Sequence, residues 1–528
     1  MKPLCLRLHL CLLLLSVTAT ARADVRLHGL FTDQMVLQRD ASVPVWGWAA
    51  EGEQVTVQFR DQTVTTTAKD GKWMVRLKKL NAGGPDELKV TGKNSITLHD
   101  VLVGEVWIAS GQSNMEFSMR DTYDASNEIA RTANPLVRFY TVTKRKADQP
   151  LDTVTNDWRM ATPGNAPAFS AVAWFFARDL QKSLGVPVGI IHTSWGGSPA
   201  EVWIREAVLT SNPRYQREIL DLYPDALRRS QAALAAWEKR EAAAKSAGTP
   251  FKERRPSLAW KPSELYNGMI APLLPYAIQG AIWYQGESNA GRAHQYRTLM
   301  ADMISNWRQD WQQGDFTFLQ VQLAPFKDYK PEPGESDWAE LREAQNHVAR
   351  VLPKAGVAVI TDVGEEKDIH PRRKEPVGAR LALAARRITY KQDVVHSGPA
   401  YRSIKVKGDE AILSFNNGGG GLEAHALPQR YAKSGQIVYS AATGRLDAPL
   451  SGFAVCGEDR KWVWADARIE GDKVVVSHKD IAKPVAVRYG WSDFPVVNLW
   501  NSEGLPASPF RTDDFPMITA PKVAEAKK

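Results

Sequence analysis

Between residues 24 and 100 apolar and polar positions alternate with period two, as in Val43 and Val45, then Val55, Val57 and Phe59, then Trp73, Val75 and Leu77. Such alternation marks strands buried on one face only, and Asp70-Gly71 supplies a turn between two of them. The segment is expected to form a small β-sandwich-like domain that either supports a neighbour or binds carbohydrate on its own surface. At Val101 the text changes to near-continuous apolar runs separated by stretches of helical period, which indicates a parallel sheet covered on both faces by helices. Strands are predicted at 101–109, 188–193, 278–284, 316–323 and 356–361, and helices at 171–184, 294–311, 339–351 and 375–389. An insertion at about 205–262 interrupts the series. Its middle, 226–247, is rich in Ala, Arg, Lys and Glu and predicts a helix, which Pro250, Pro256 and Pro262 bring to an end. It reads as a solvated helix or as a rim over a neighbouring site. Alternation returns in 394–528, with Ile404 and Val406, then Val474 and Val476, then Val485 and Val487, and with a loop of four glycines after Asn417. The plan is therefore β over 24–100, α/β over 101–393 and β over 394–528, which suits 528 residues at roughly 100–200 per domain.

Composition narrows the class. A hydrophobic content of 44%, with 18 Trp, 14 Tyr and 16 Phe, excludes a disordered or collagen-like chain. A formal charge of +8 raises the question of nucleic acid. Part of that charge lies in residues 1–23, which read as a cleavable signal peptide: Lys2 and Arg7, an apolar core to Val17, then Ala21-Arg22-Ala23. A secreted or periplasmic protein is expected, and loss of Lys2, Arg7 and Arg22 lowers its charge to +5. No block of five like charges forms a nucleic-acid arm. Cys5 and Cys11 leave with the signal, so Cys456 remains without a partner, and no Cys/His spacing suits a metal. No metal or cofactor is expected. No later apolar run is long enough to span a membrane.

In open parallel sheets ligands bind at the carboxyl ends of strands, so the loops there are the places for chemistry. Four stand out. The first, Ser110-Gly111-Gln112-Ser113-Asn114-Met115, sets Ser113 at a strand-to-helix turn as a candidate nucleophile, although a serine in a turn is often only a cap. The second, Thr193-Ser194-Trp195-Gly196-Gly197-Ser198-Pro199, has paired glycines that let backbone N–H groups approach a ligand, as an oxyanion hole requires; an ordinary Gly-Gly turn is the other reading. The third, Tyr284-Gln285-Gly286-Glu287-Ser288-Asn289, is dense in amide and carboxylate groups. The fourth is Asp368-Ile369-His370-Pro371. In extended chain, residues two apart face one side, so Asp368 can hold His370 in one tautomer while the ring reaches a serine.

The segments 104–115 (GEVWIASGQSNM), 193–203 (TSWGGSPAEVW), 265–289 (LYNGMIAPLLPYAIQGAIWYQGESN), 368–381 and 490–514 resemble the sialate O-acetylesterases of the SGNH (GDSL-like) hydrolase superfamily. The resemblance implies a flavodoxin-like three-layer α/β/α catalytic domain between β-rich regions and hydrolysis of O-acetyl esters on sugars, without cofactor. It implies Ser113 as nucleophile, His370 as general base and Asp368 as its orienting acid. The oxyanion hole it implies uses the N–H of Ser113, an N–H at Gly196 or Gly197, and a side-chain amide. The superfamily pattern Gly-x-Asn-Asp has Ser288 at its third place here, which leaves Gln285 or Asn289 as the amide donor. The usual superfamily acid stands three residues before the histidine and Asp368 stands two before, so Asp362 is a reserve candidate.

The substrate class is an O-acetylated sugar or glycan. Arg292, Arg372 and Arg373 lie beside the site loops, where one can pair with a sialate carboxylate or remain a solvated surface group. Gln112, Glu287 and Trp195 are further candidate substrate contacts, and Trp203 and Trp283 suit either sugar stacking or core packing. Acetylated xylan or pectin-type glycans are alternative substrates. A non-catalytic glycan-binding protein is the alternative of another class.

Overall fold

The computed structural model describes residues 24–425 and 450–521; the expected signal peptide, 1–23, and part of the C-terminal region lie outside the described residues. At the centre is a mixed α/β unit whose sheet contains β1 (Ser95–Gly111), β2 (Asn134–Thr141), β3 (Trp158–Ala161), β4 (Val188–Ser194), β5 (Gly280–Tyr284), β6 (Thr317–Val321) and β7 (Ala355–Ala358). Their order is β3-β2-β4-β1-β5-β6-β7. Every neighbouring pair is parallel except β3 with β2. Alternate residues of β1 feed two cores: Val106 and Ile108 pack on one side, Trp107 and Ala109 on the other. Helices α1 (Ala171–Leu184), α2 (Ala293–Trp311), α3 (Asp337–Val351) and α4 (Glu375–Ile388) cover both faces. Helices α2 and α3 close the first core through Met303, Trp307 and Leu341, while α1 and α4 close the second through Phe175, Phe176 and Leu381. Ser170 and Ser336 cap α1 and α3 by accepting the backbone N–H of Ala173 and Ala339, which satisfies donors a helix start otherwise leaves open.

The pattern change at residue 101 falls inside β1, a single strand of 17 residues. Its first half pairs antiparallel with Gly83–Thr91, and Leu102–Gly104 pair parallel with Val36–Gln38. The N-terminal β region and the central sheet thus share a strand. Strands β2 and β3 were not expected. In the text of β2, Asn134-Pro135 reads as a turn and Arg138 breaks the apolar run, yet Arg138 is buried with its guanidinium on Asp100 at 3.0 and 3.1 Å.

Among the described residues the C-terminal region carries two four-stranded antiparallel sheets that share a core, Leu413 and Val474 coming from one and Val455 and Val487 from the other. It is fastened to α3 by side chains. Arg342 donates to the carbonyls of Ser492 at 2.6 Å and Asp493 at 3.0 Å, and Glu340 accepts the N–H groups of Ile518 and Thr519 at 2.6 and 3.0 Å. In the insertion, the expected helix is Tyr223–Ser246, with Trp237 as its buried residue.

Candidate active site

Strand β1 lies between β4 and β5, at the point where the chain changes its direction of winding across the sheet, and Ser113 follows its carboxyl end. The turn depends on Gly111. At φ 132° it has a left-handed backbone, and a Cβ there would sit 2.2 Å from the carbonyl oxygen of Tyr284. Gln112 N–H donates to that carbonyl at 2.9 Å, and Ser113 then opens a one-turn helix, Ser113–Glu116. His370 arrives from the loop between β7 and α4. Although 257 residues separate them, Ser113 Oγ and His370 Nε2 are 2.7 Å apart.

Asp368 accepts the backbone N–H of His370 at 2.8 Å, and the same Oδ1 lies 3.6 Å from ring Nδ1, an ion-pair distance longer than a hydrogen bond. The reserve candidate Asp362 is committed elsewhere, for its two oxygens accept from Arg380 at 2.6 and 2.8 Å. Burial holds the imidazole of His370 below its ordinary value; the neighbouring Lys374 charge adds to this and Asp368 opposes it.

The paired-glycine loop lies against the serine turn. Trp195 N–H donates to Gly111 O at 3.0 Å, and a Cβ on Gly196 would come within 3.2 Å of the Ser113 Cβ, so glycine permits the approach. Gly196 N–H is taken, donating to Glu116 Oε2 at 2.7 Å, and Glu116 is paired with Lys144 at 2.5 Å. The N–H groups of Ser113 and Gly197 have no acceptor among the described residues, which leaves two open donors in the loops that meet at the serine.

The third loop departs from expectation. Asn289 Nδ2 donates to Glu201 at 3.0 Å, while its Oδ1 accepts from Ala200 N–H at 2.9 Å and Gln285 Nε2 at 2.7 Å. Gln285 Nε2 also donates to Ser198 O at 3.2 Å, and both side chains are fully buried. Both N–H donors of Gln285 are consumed in this buried network, whereas Asn289 Nδ2 spends one of its two on Glu201. Ser288, at the place of the superfamily asparagine, instead ties loops together: its Oγ donates to Gly197 O at 3.1 Å and its N–H to Gln112 Oε1 at 3.4 Å. Gln112, 3% exposed, thus braces the third loop through its Oε1.

The arginines differ from expectation in the same way. Arg292 donates to Glu201 at 2.6 Å and Gln295 at 3.1 Å, and Arg372 donates to the carbonyl of Asp121 at 3.0 Å. Trp203 and Trp283 are buried edge to face at 6.0 Å and belong to the core. Trp195 is half-buried and meets Trp260 of the insertion edge to face at 5.6 Å, with Lys146 Nζ 4.0 Å from the Trp260 ring centre. The insertion therefore reaches the paired-glycine loop. Glu287 points inward: its Oε1 accepts from Asn114 Nδ2 at 2.6 Å, and burial raises its carboxyl above the ordinary range. Lys374 and Glu116 escaped the sequence reading. Lys374 stands in an Arg372-Arg373-Lys374 run that looks solvated, and only the tertiary fold buries it. Among the described residues no three His, Cys, Asp or Glu side chains gather as a metal-ligand set.

A hydroxyl in contact with an imidazole at the switch point of a mostly parallel sheet is an arrangement that ester hydrolysis can use. The family model described as carbohydrate esterase, sialic acid-specific acetylesterase, matches residues 103–244 and 247–386, and the chain belongs to that family. It is 28% identical to the sialate O-acetylesterases of Mus musculus, over 94% of this chain and 96% of the relative, and of Homo sapiens, over 94% of each. It is also 37% identical to a carbohydrate acetylesterase of Xanthomonas citri whose crystal structure superposes with a TM-score of 0.77, over 93% of this chain and all of the other. The protein is thus a carbohydrate esterase acting on O-acetylated glycans, and the reading as a non-catalytic glycan-binding protein falls. Among the described residues no helix is long and apolar enough to cross a membrane.

Proposed function

We propose that the protein is a secreted or periplasmic sialate O-acetylesterase working by serine acyl transfer on an SGNH-type three-layer scaffold. The observation that carries the reading is the 2.7 Å contact between Ser113 Oγ and His370 Nε2 at the carboxyl end of the central strand. His370 takes the hydroxyl proton as Oγ attacks the acetyl carbonyl. The tetrahedral oxyanion forms against the open N–H groups of Ser113 and Gly197; Gly196 joins them only when Glu116 withdraws. The imidazolium, steadied by Asp368, returns its proton to the departing sugar hydroxyl. Water then repeats the sequence on the acetyl-enzyme and releases acetate.

A second reading has its own support. The relative from Xanthomonas citri is a carbohydrate acetylesterase not described as sialate-specific, and Arg292 and Arg372, two candidates for pairing with a sialate carboxylate, are engaged within the protein. Acetylated xylan, whose backbone carries no carboxylate, calls for no such cation, and an acetylated pectin-type glycan is the further alternative. Acetate release from O-acetylated sialic acid and from acetyl-xylan under matched conditions separates the two. Turnover confined to acetyl-xylan refutes the sialate assignment and leaves the serine mechanism standing. Secretion is tested by expressing the full chain: a mature product beginning at Asp24 supports it, and a retained leader refutes it.

A further inference from the structure

Behind the Ser113–His370 contact lies a set of buried polar groups that the acyl-transfer chemistry does not use. Asn114, the residue after the nucleophile, is 1% exposed and bonds in three directions. Its Nδ2 donates to Glu287 Oε1 at 2.6 Å and to the carbonyl of Ile369, the residue before His370, at 3.0 Å. Its Oδ1 accepts from Lys374 Nζ at the start of α4. Lys374 is fully buried, its ammonium 4.7 Å from the ring centre of Phe117 and 5.4 Å from that of Tyr284. One amide thus joins the serine turn, the loop after β5, the histidine loop and the first turn of α4.

Burying an ammonium and a carboxylate is costly, and an apolar cluster of similar volume would often be as stable. Their retention beside a reacting pair calls for a return in geometry. Other bonds anchor the loop further on, where the Arg372 carbonyl accepts from Tyr123 N–H at 2.9 Å and Thr122 Oγ1 at 2.8 Å, but His370 itself is a half-exposed ring whose backbone Asp368 holds more closely than its Nδ1. We propose that Asn114, Glu287 and Lys374 are positioning residues that set the His370 loop against the Ser113 turn, keeping Nε2 within reach of Oγ. This rests on the reading of Ser113 and His370 as the reacting pair. Electrostatics add a second consequence. His370 is faced by Asp368 from its own loop and by Lys374 from α4; Lys374 in turn is faced by Glu287 from the loop after β5 and by Glu365 and Asp368 from the histidine loop. The ammonium disfavours the imidazolium, so its removal raises the pH at which His370 gains its proton.

The test measures kcat, KM and the pH profile of kcat/KM on p-nitrophenyl acetate with the purified mature protein, each variant first checked for a native circular dichroism spectrum. Asn114→Ala is expected to lower kcat about 100-fold with KM within threefold, the scale at which small misplacement of a catalytic group acts. Lys374→Met is expected to move the acid limb to higher pH, a change that loss of stability alone does not produce. Glu287→Gln, which keeps an acceptor for Asn114, should retain at least about tenfold more kcat than Glu287→Ala, since a lost hydrogen bond to a buried partner costs more than a kcal/mol. Should Asn114→Ala not fold, Asn114→Ser is judged by the same kcat and KM criteria. A kcat within threefold of the parent in the folded Asn114 variant, or an acid limb unmoved in Lys374→Met, overturns the proposal. Ser113→Ala run alongside separates the failures: if it retains activity, the reading of the reacting pair has failed instead.

Discussion

Among the described residues two serine–histidine contacts of nearly equal length stand on neighbouring strand ends. Ser113 Oγ lies 2.7 Å from His370 Nε2, and Ser194 Oγ lies 2.6 Å from His192 Nε2. The first is half-exposed, has a carboxylate beside its second ring nitrogen, and opens onto loops with free N–H donors. The second is sealed: both residues are buried, His192 Nδ1 has no partner, and burial pushes its imidazole down to about 4. A hydroxyl touching an imidazole does not by itself mark a reacting pair. Access, an acid at the far nitrogen and donors for a developing charge distinguish the pair proposed to react from the pair that fills a core.

The sharpest way to break this comparison is Ser113→Ala beside Ser194→Ala. Ser113→Ala should lower kcat by about 10³-fold or more with its fold intact, because members of such a set act as a unit. Ser194→Ala should stay within about threefold in acetate release. Equal losses would abolish the distinction. Next in size, Asp368→Asn should cost about 100-fold in kcat, less than the ~10⁴-fold loss known where the orienting acid is buried and bonded to the ring. Asp362→Asn should spare kcat and lower the melting temperature, since it strips Arg380 of its partner. If Asp362→Asn takes the larger toll on kcat, the orienting role passes to it.

Acid titration sharpens the contrast further. Burial favours neutral imidazole at both sites, so the base form of His370 persists below the ordinary 6.5 and the acid limb of kcat/KM should lie below that pH. His192 and His28 are both held neutral to about 4, whereas in the unfolded chain they protonate near 6.5. Their contribution to stability is complete above 6.5 and is lost as pH falls toward 4. A melting temperature that declines over this window, and declines less in a folded His192→Gln variant, is the expected outcome; identical slopes would remove His192 from the account. The smallest effect expected is from Trp260→Ala, a rise of a few-fold in KM for glycan esters and none for p-nitrophenyl acetate, checked by comparing the two substrates.

The strand ends that carry the loops were legible because parallel strands buried on both faces spell long apolar runs. Strand β2 was not, because Arg138 finds its partner Asp100 only in the folded chain. Within the site, Ser113, His370 and Asp368 could be placed by the kind of residue and its position at a strand end. The fates of Gln285, Asn289 and Arg292 could not, since Glu201, which gathers Asn289 and Arg292, comes from a segment about 90 residues away in sequence. Lys374 was hidden for the opposite reason: its neighbours in sequence are charged, and in space it is buried between two aromatic rings and the Asn114 amide.

Strand β1 gives the N-terminal β region a task beyond support. The ribbon that pairs with Gly83–Thr91 at one end delivers Ser113 at the other. A slip of one residue in that distant pairing would turn each side chain along the strand to the opposite face, so the leading module acts as a ruler that meters Ser113 into place.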